Sequence, residues 1–389
     1  MKKIVFFAHP LFLGSQSMPR FVSMLADGMK LRGYETEIWR AEAKFSSINI
    51  PGVKKWLGYI DQYFVFPGIV KKKLKKEDND VLYVITDHAL GPYVPLVANK
   101  AHVIHCHDFL AQRSALGQIS ENITSKSGQA YQKFIRKGYS EGKNFISVSE
   151  KTKSDLKEFI NGKAIRSEMV YNGLNSAFQP ADSVSLVRNE LASDFGIDVT
   201  EGYILHVGGN QWYKNRIGVI ELYDQWRTSY GGSLPLILIG HQPNVSLLNR
   251  YEQSAFKEDI HFLKNIDDTS VTMAYAGASV FLFPSLAEGF GWPVAEAMAS
   301  GTIVITTNEA PMLEVAGDAA FLINRKPSAA DQSIQWAKES AAVLEEAITL
   351  DPSKRAEWIN KGKMNVQRFK LDVSLDKIEQ IYRSVLDNS

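Results

Sequence analysis

The chain has 389 residues, 45% hydrophobic and 22% charged, which excludes a disordered or low-complexity protein and leaves room for two or three domains with large cores. Its single cysteine, Cys106, excludes an intramolecular disulfide and a cysteine-based zinc cage, and no run of 18 apolar residues is present to span a bilayer as a helix. The net charge of +1 conceals +10 through residue 180 and −9 beyond it, so an anionic partner is expected on one half only.

The opening MKKIVFFAHPLFLG imitates a signal peptide, but His9 and Pro10 interrupt it and no small-residue cleavage site follows. Lys3 to Ala8 therefore reads as a first buried strand, with a cytoplasmic home as the expectation. The loop after it, with Gly14, Ser15, Gln16 and Ser17, suits a phosphate or acceptor contact. Apolar residues at Phe21, Val22, Leu25, Met29 and Leu31 then predict a helix ending at Gly33. Lys54, Lys55, Lys71, Lys72, Lys73, Lys75 and Lys76 stand near Trp56, Tyr59 and Phe64, a mixture that suits an anionic membrane surface. A merely solubilising helix is the bland reading, and no recognisable nucleic-acid module accompanies the lysines.

Asp78-Asn79-Asp80 matches a D-x-D metal pattern, yet it sits between a lysine run and the strand VLYVIT and reads as a solvated turn. In the next strand, HVIHCH, His105 and His107 alternate and share a face, with Asp108 at the end. The H-x-H spacing invites a metal, but with no cysteine partner a core histidine is the commoner outcome. NFISVS is a further strand, and the polar segment after Pro180 reads as a linker into a second domain. There YILHVG, LPLILIG, HFLKN, SVFLFP and TIVITT alternate with helical patterns such as RIGVIELYDQWRTSY. The first of these strands leads to Gly208, Gly209, Asn210, Lys214 and Arg216, two glycines and two cations suited to a diphosphate. SVFLFP leads to SLAEGFGWPVAEAMASG, in which Gly289, Phe290 and Gly291 form a turn and Pro293 opens a helix whose amides can face an anion. Glu288 before the turn and Glu296 inside the helix can each accept hydrogen bonds from sugar hydroxyls.

EGFGWPVAE, continued by AMASG and the later EVAGDAA, resembles the E-x7-E motif of the retaining glycosyltransferases of family 4. The resemblance covers nearly the whole chain and is strongest from about Tyr203 to Ala320. It implies an α/β GT-B fold, two Rossmann-like domains facing a central cleft. The expected divisions are residues 1–180 on the acceptor side, 181–374 for the nucleotide sugar, and a helix in 375–389 that crosses back. It also implies Glu288 beside the donor sugar, Glu296 near the ribose, Lys214 on the donor phosphates, and His107, with Asp108 second, at the sugar. Where many members carry an arginine after the VG pair this chain has Gly209, so Arg216 or backbone amides must replace it. Only Gly14 stands where the family often has a glycine pair.

The implied activity is hexose transfer from a nucleotide diphosphate sugar to a hydroxyl of a glycan or lipid-linked acceptor, with no metal and no other cofactor. GDP-mannose is the first choice of donor, in bacterial polysaccharide synthesis. A GT-B epimerase or phosphorylase, or a non-enzymatic two-domain sugar binder, is the alternative reading.

Overall fold

The runs of β-branched and aromatic residues form strands, and those buried on both faces show no alternation. VLYVI, for example, is buried at all five positions. In a computed structural model of the chain, residues 2–14, 17–48, 53–78, 80–160 and 164–388 are described. They form twelve strands: β1 Lys3–Phe7, β2 Glu35–Trp39, β3 Val81–Ile85, β4 His102–Cys106, β5 Asn144–Ser147, β6 Arg166–Met169, β7 Ile204–Val207, β8 Leu236–Ile239, β9 Ile260–Leu263, β10 Val280–Phe283, β11 Ile303–Thr307 and β12 Phe321–Ile323.

Two compact units emerge, one of residues up to Tyr171 together with Asp372 onward, the other Asn172–Leu371. Each holds one all-parallel sheet of six strands. In the first the order is β2-β1-β3-β4-β5-β6, and in the second β12-β11-β10-β7-β8-β9. Every strand pairing within them is parallel, so the connections are helical crossovers. Phe7 opposite Ile85 fixes the register of β1 and β3, and Val280 opposite Ile204 that of β10 and β7.

The first core gathers Phe7, Trp39, Tyr83, Tyr93, Phe109 and Tyr139, and the second Tyr223, Trp226, Leu238, Leu282, Ile305 and Leu344. Each such side chain taken out of water is worth about 1.5–3 kcal/mol before the entropy of ordering the chain is set against it. From Asp372 on, the helix Leu371–Asp387 belongs to the first unit, where the Leu375 side chain lies so close over Gly28 that a Cβ there would stand 2.6 Å from it.

The structure departs from the sequence reading at three strands and one linker. β2, β6 and β12 were not anticipated, and all three lie at sheet edges, where ETEIW and RSEM carry the charges that edge strands tolerate. The polar segment after Pro180 is no linker: Val184–Phe195 is a helix of the second unit, capped by the Ser183 hydroxyl and packed through the buried Leu191.

Strand order decides where ligands can sit. In an open parallel sheet the crevice lies at the carboxyl ends of the two strands whose connections leave in opposite directions. That point falls between β1 and β3 in the first unit, and between β7 and β10 in the second.

Candidate functional site

The loops after β7 and β10 are stitched together before they carry any functional group. After Gly208 and Gly209 the chain makes a 3-10 turn, Trp212–Lys214, and Asn215 takes a left-handed conformation with φ 52°. The Asn215 Oδ1 accepts from the Gly218 amide at 3.2 Å and caps the helix Arg216–Tyr230, while its Nδ2 donates to the Pro284 carbonyl at 2.9 Å. The Leu286 amide donates to the Tyr213 carbonyl at 2.7 Å, tying the two loops a second time.

This framework brings Lys214 to Glu288, 74 residues on. The Lys214 Nζ donates to Glu288 Oε1 at 2.8 Å, and the Ser285 hydroxyl lies 2.7 Å from the same oxygen. Both side chains are largely buried, at 15% and 9% exposure, yet neither is sealed from solvent. The ammonium also lies 4.9 Å from the centre of the Phe283 ring, a cation–π contact that holds it over the strand end.

Gly291, with φ 104°, opens the helix Trp292–Ala299, and Pro293 occupies its first turn. A side chain at Gly291 would be strained in that conformation. The Phe290 ring is buried against Phe369, 5.4 Å between centres, so only its backbone faces the turn. Glu296 stands inside the helix, and its Oε2 accepts from the Tyr275 hydroxyl at 3.0 Å. Burial, then the Glu296 charge, pushes the Tyr275 phenol well above its ordinary range, so it stays a donor.

Arg216, expected from the sequence beside the donor diphosphate, is buried. Its Nη1 donates to Asn210 Oδ1 at 2.8 Å and to the His241 carbonyl at 3.0 Å, and Nε and Nη2 have no partner among the described residues. Burial pushes the guanidinium down to about 10, which leaves it cationic at neutral pH. Asn210 Nδ2 continues to the Gln242 carbonyl at 2.6 Å, so Arg216 binds the loop after β7 to the loop after β8. His206 is buried beneath, and burial pushes it down to about 3, helped by the charges of Arg216 and Lys214.

In the first unit His107 rests against Phe21, 4.5 Å between ring centres, with Nε2 3.0 Å from the Thr86 carbonyl. Burial pushes its imidazole below the ordinary value despite the nearby Asp87 charge. His105 shares Phe21 at 5.4 Å, and its Nε2 lies 2.7 Å from the Tyr382 hydroxyl, which places it in the core. Asp108 Oδ1 accepts from the Leu110 amide at 2.9 Å. Gly14 is left-handed, φ 73°, and closes the turn Leu11–Leu13, while Ser17 opens the helix Ser17–Leu31. Ser15, Gln16 and Asn79 lie outside the described residues; Asp78 and Asp80 are exposed.

Sequence reasoning missed Asn215, Ser285 and Tyr275, which orient the candidates. Asn215 was findable, since an asparagine directly before a helical pattern is a capping signal.

Residues 187–364 match the family described as glycosyl transferases group 1. The structure aligns over its full length with all of sucrose-phosphate synthase from Thermosynechococcus elongatus, at 15% identity and a TM-score of 0.75. The chain has the GT-B fold. Among curated proteins it is similar to O-antigen chain mannosyltransferase B of Escherichia coli, 26% identical over 253 residues, which is 62% of this chain and 64% of that protein. It is also similar to O-antigen chain mannosyltransferase RfbU of Salmonella typhimurium, 26% identical over 209 residues and 53% of each chain. The matched stretches thus span between about half and two thirds of those relatives' own lengths.

Proposed function

We propose that this chain is a retaining glycosyltransferase, similar to family 4, that moves a hexose from a nucleotide diphosphate sugar to a hydroxyl of a glycan or lipid-linked acceptor. The observation that carries the reading is the Lys214–Glu288 ion pair at the crevice of the second sheet, beside the start of the helix Trp292–Ala299. A cation and a helix amino terminus favour the negative charge that grows on a departing diphosphate, and a carboxylate beside them suits sugar hydroxyls. The buried, unneutralised charge of Arg216 under the same loop adds to that field.

In this reading Lys214 and the backbone of Gly208, Gly209 and Gly289 to Gly291 hold the phosphates. Glu296, oriented by Tyr275, takes the ribose hydroxyls, and Glu288 takes the donor sugar. His107 and Asp108 are proposed for sugar recognition. The two O-antigen mannosyltransferase relatives support mannose and a role in polysaccharide synthesis, and GDP-mannose is the donor proposed first. The protein chain supplies the positive charge, so transfer persists in excess EDTA.

The same proposal places the enzyme on the cytoplasmic face of an anionic membrane. Trp56 is 63% exposed and Phe64 77%, on the helical stretch that runs from Lys54 to Leu74. Lys54, Lys55, Lys71, Lys72, Lys75 and Lys76 are exposed as well, whereas Lys73 turns inward to Glu37 at 2.7 Å. No described helix is long and apolar enough to cross a membrane.

Incubating the protein with labelled nucleotide sugars and a panel of alkyl glycosides tests the reading. A labelled disaccharide with the donor's anomeric configuration supports it, and an inverted product or free epimer counts against it.

A further inference from the structure

Residues 285–288 carry the carboxylate assigned above to the donor sugar, and their backbone is held from three sides, all within the second unit. At the end of β11 the Thr307 hydroxyl donates to the Ser285 carbonyl at 2.7 Å. In the loop after β7 the Tyr213 carbonyl accepts from the Leu286 amide. Just past β12, Arg325 Nε donates to the Leu286 carbonyl at 3.1 Å. Glu288 stands two residues further on.

The three holds differ in kind. Thr307 is buried and the Tyr213 contact is backbone to backbone, so both belong to the packing of the sheet. Arg325 is a long side chain, 28% exposed, that starts beside the edge strand β12 and passes β11 to reach the loop after β10. Its Nε also lies 3.8 Å from Glu309 Oε2, in the loop after β11. A guanidinium has five N–H donors in a rigid fork and keeps its charge at neutral pH, which suits it to tying several loops at once.

Lys214 and Ser285 fix the far end of the Glu288 side chain through Oε1, and the bonds at Leu286 fix where its backbone starts. A carboxylate held at both ends keeps the geometry that a reacting sugar needs, since a misplacement of about 1 Å can cost about 100-fold in rate. Resting on the donor-site reading above, we infer that Arg325 is a positioning residue for Glu288. Through the Leu286 carbonyl it sets the loop so that the Glu288 carboxylate meets the donor sugar, while Lys214 and Glu296 hold the phosphates and ribose independently of it.

The test uses full-length protein, labelled GDP-mannose and other nucleotide sugars, and octyl glycosides as acceptors. Donor affinity by calorimetry, transfer turnover and thermal unfolding are read in each variant. Arg325→Ala should lower turnover about tenfold while donor affinity stays within about twofold. Arg325→Gln places an N–H where arginine has Nε, so it should recover part of the loss. Arg325→Met keeps the apolar stem without an N–H and repeats the test where the alanine variant unfolds. The deciding measurement is the double-mutant cycle with Glu288→Gln: once Glu288 is replaced, Arg325→Ala should change turnover by less than about twofold. Wild-type turnover in Arg325→Ala, full multiplication of the two losses in the double variant, or lost donor affinity with folding intact overturns the inference and leaves the glycosyltransferase reading standing. Absence of transfer by the wild type across the panel overturns both.

Discussion

At Glu288 and Glu296 the structure gives two carboxylates different surroundings. Glu288 shares Oε1 with the Lys214 ammonium and the Ser285 hydroxyl, whereas Glu296 accepts from a neutral phenol. Replacing Glu296 by Gln removes a charged acceptor, which typically costs about 1.5–3 kcal/mol per hydrogen bond, so donor affinity should weaken about tenfold or more. Glu288→Gln should lower turnover and leave donor affinity nearly unchanged, because its sugar contact is expected to tighten as the bond breaks. Calorimetry and steady-state rates on the two variants separate these effects, and identical parameters in both would remove the assignment. The residues themselves were legible in the sequence because glycine, proline and glutamate stood in one short stretch. The pairing of Lys214 with Glu288 was not, since the two are 74 positions apart and only the pairing of β7 with β10 joins their loops.

Among the elements, the stretch from Lys54 to Leu74 shows how a buried charge shapes a surface. Asp61, 1% exposed, accepts from the amides of Lys44, Phe45 and Ser46 at 2.9–3.1 Å and from the Ser46 hydroxyl at 2.7 Å. Burial would raise its carboxyl, but these bonds prevail and lower it beneath the ordinary 3.8. A lowered folded value means that the stability contributed is present at neutral pH and is lost as pH falls below about 3.8. Asp61→Asn should therefore cost about 2–3 kcal/mol at pH 7, and the gap to wild type should narrow as pH falls through that range. Urea unfolding at several pH values measures it, and a gap independent of pH would contradict the account.

The loop that Asp61 holds carries the exposed Phe45 and Ile48, which add apolar area near Trp56 and Phe64 in sequence. Changing Trp56, Phe64, Lys71, Lys72, Lys75 and Lys76 together to Ser should abolish co-sedimentation with anionic vesicles at low salt. Each lysine near such a surface is worth about 1 kcal/mol. Equal sedimentation of variant and wild type would return the lysines to ordinary solvation. At this scale the sequence revealed buried strands such as VLYVI and VFLF, because long apolar runs leave few alternatives. It concealed β2, β6 and β12, whose charged or very short sequences become strands only when a neighbouring strand offers them an edge.

Across the whole molecule, each unit repeats one design, a parallel sheet whose order reverses once and whose reversal point carries a polar pair. Lys214–Glu288 stands at one such point and His9–Asp87 at the other. The alternating strands and helices predicted both sheets, but the order within them, and hence the two crevices, came only from the pairing. The most direct test of the central claim, that the second unit binds a diphosphate through the protein's own charges, is calorimetric titration of nucleotide sugars in excess EDTA. The account predicts that wild type binds at least one donor without metal and that Lys214→Ala binds it about 10–100-fold more weakly, the worth of one charge-assisted contact. Binding that requires added manganese, or that is the same in Lys214→Ala, would contradict it.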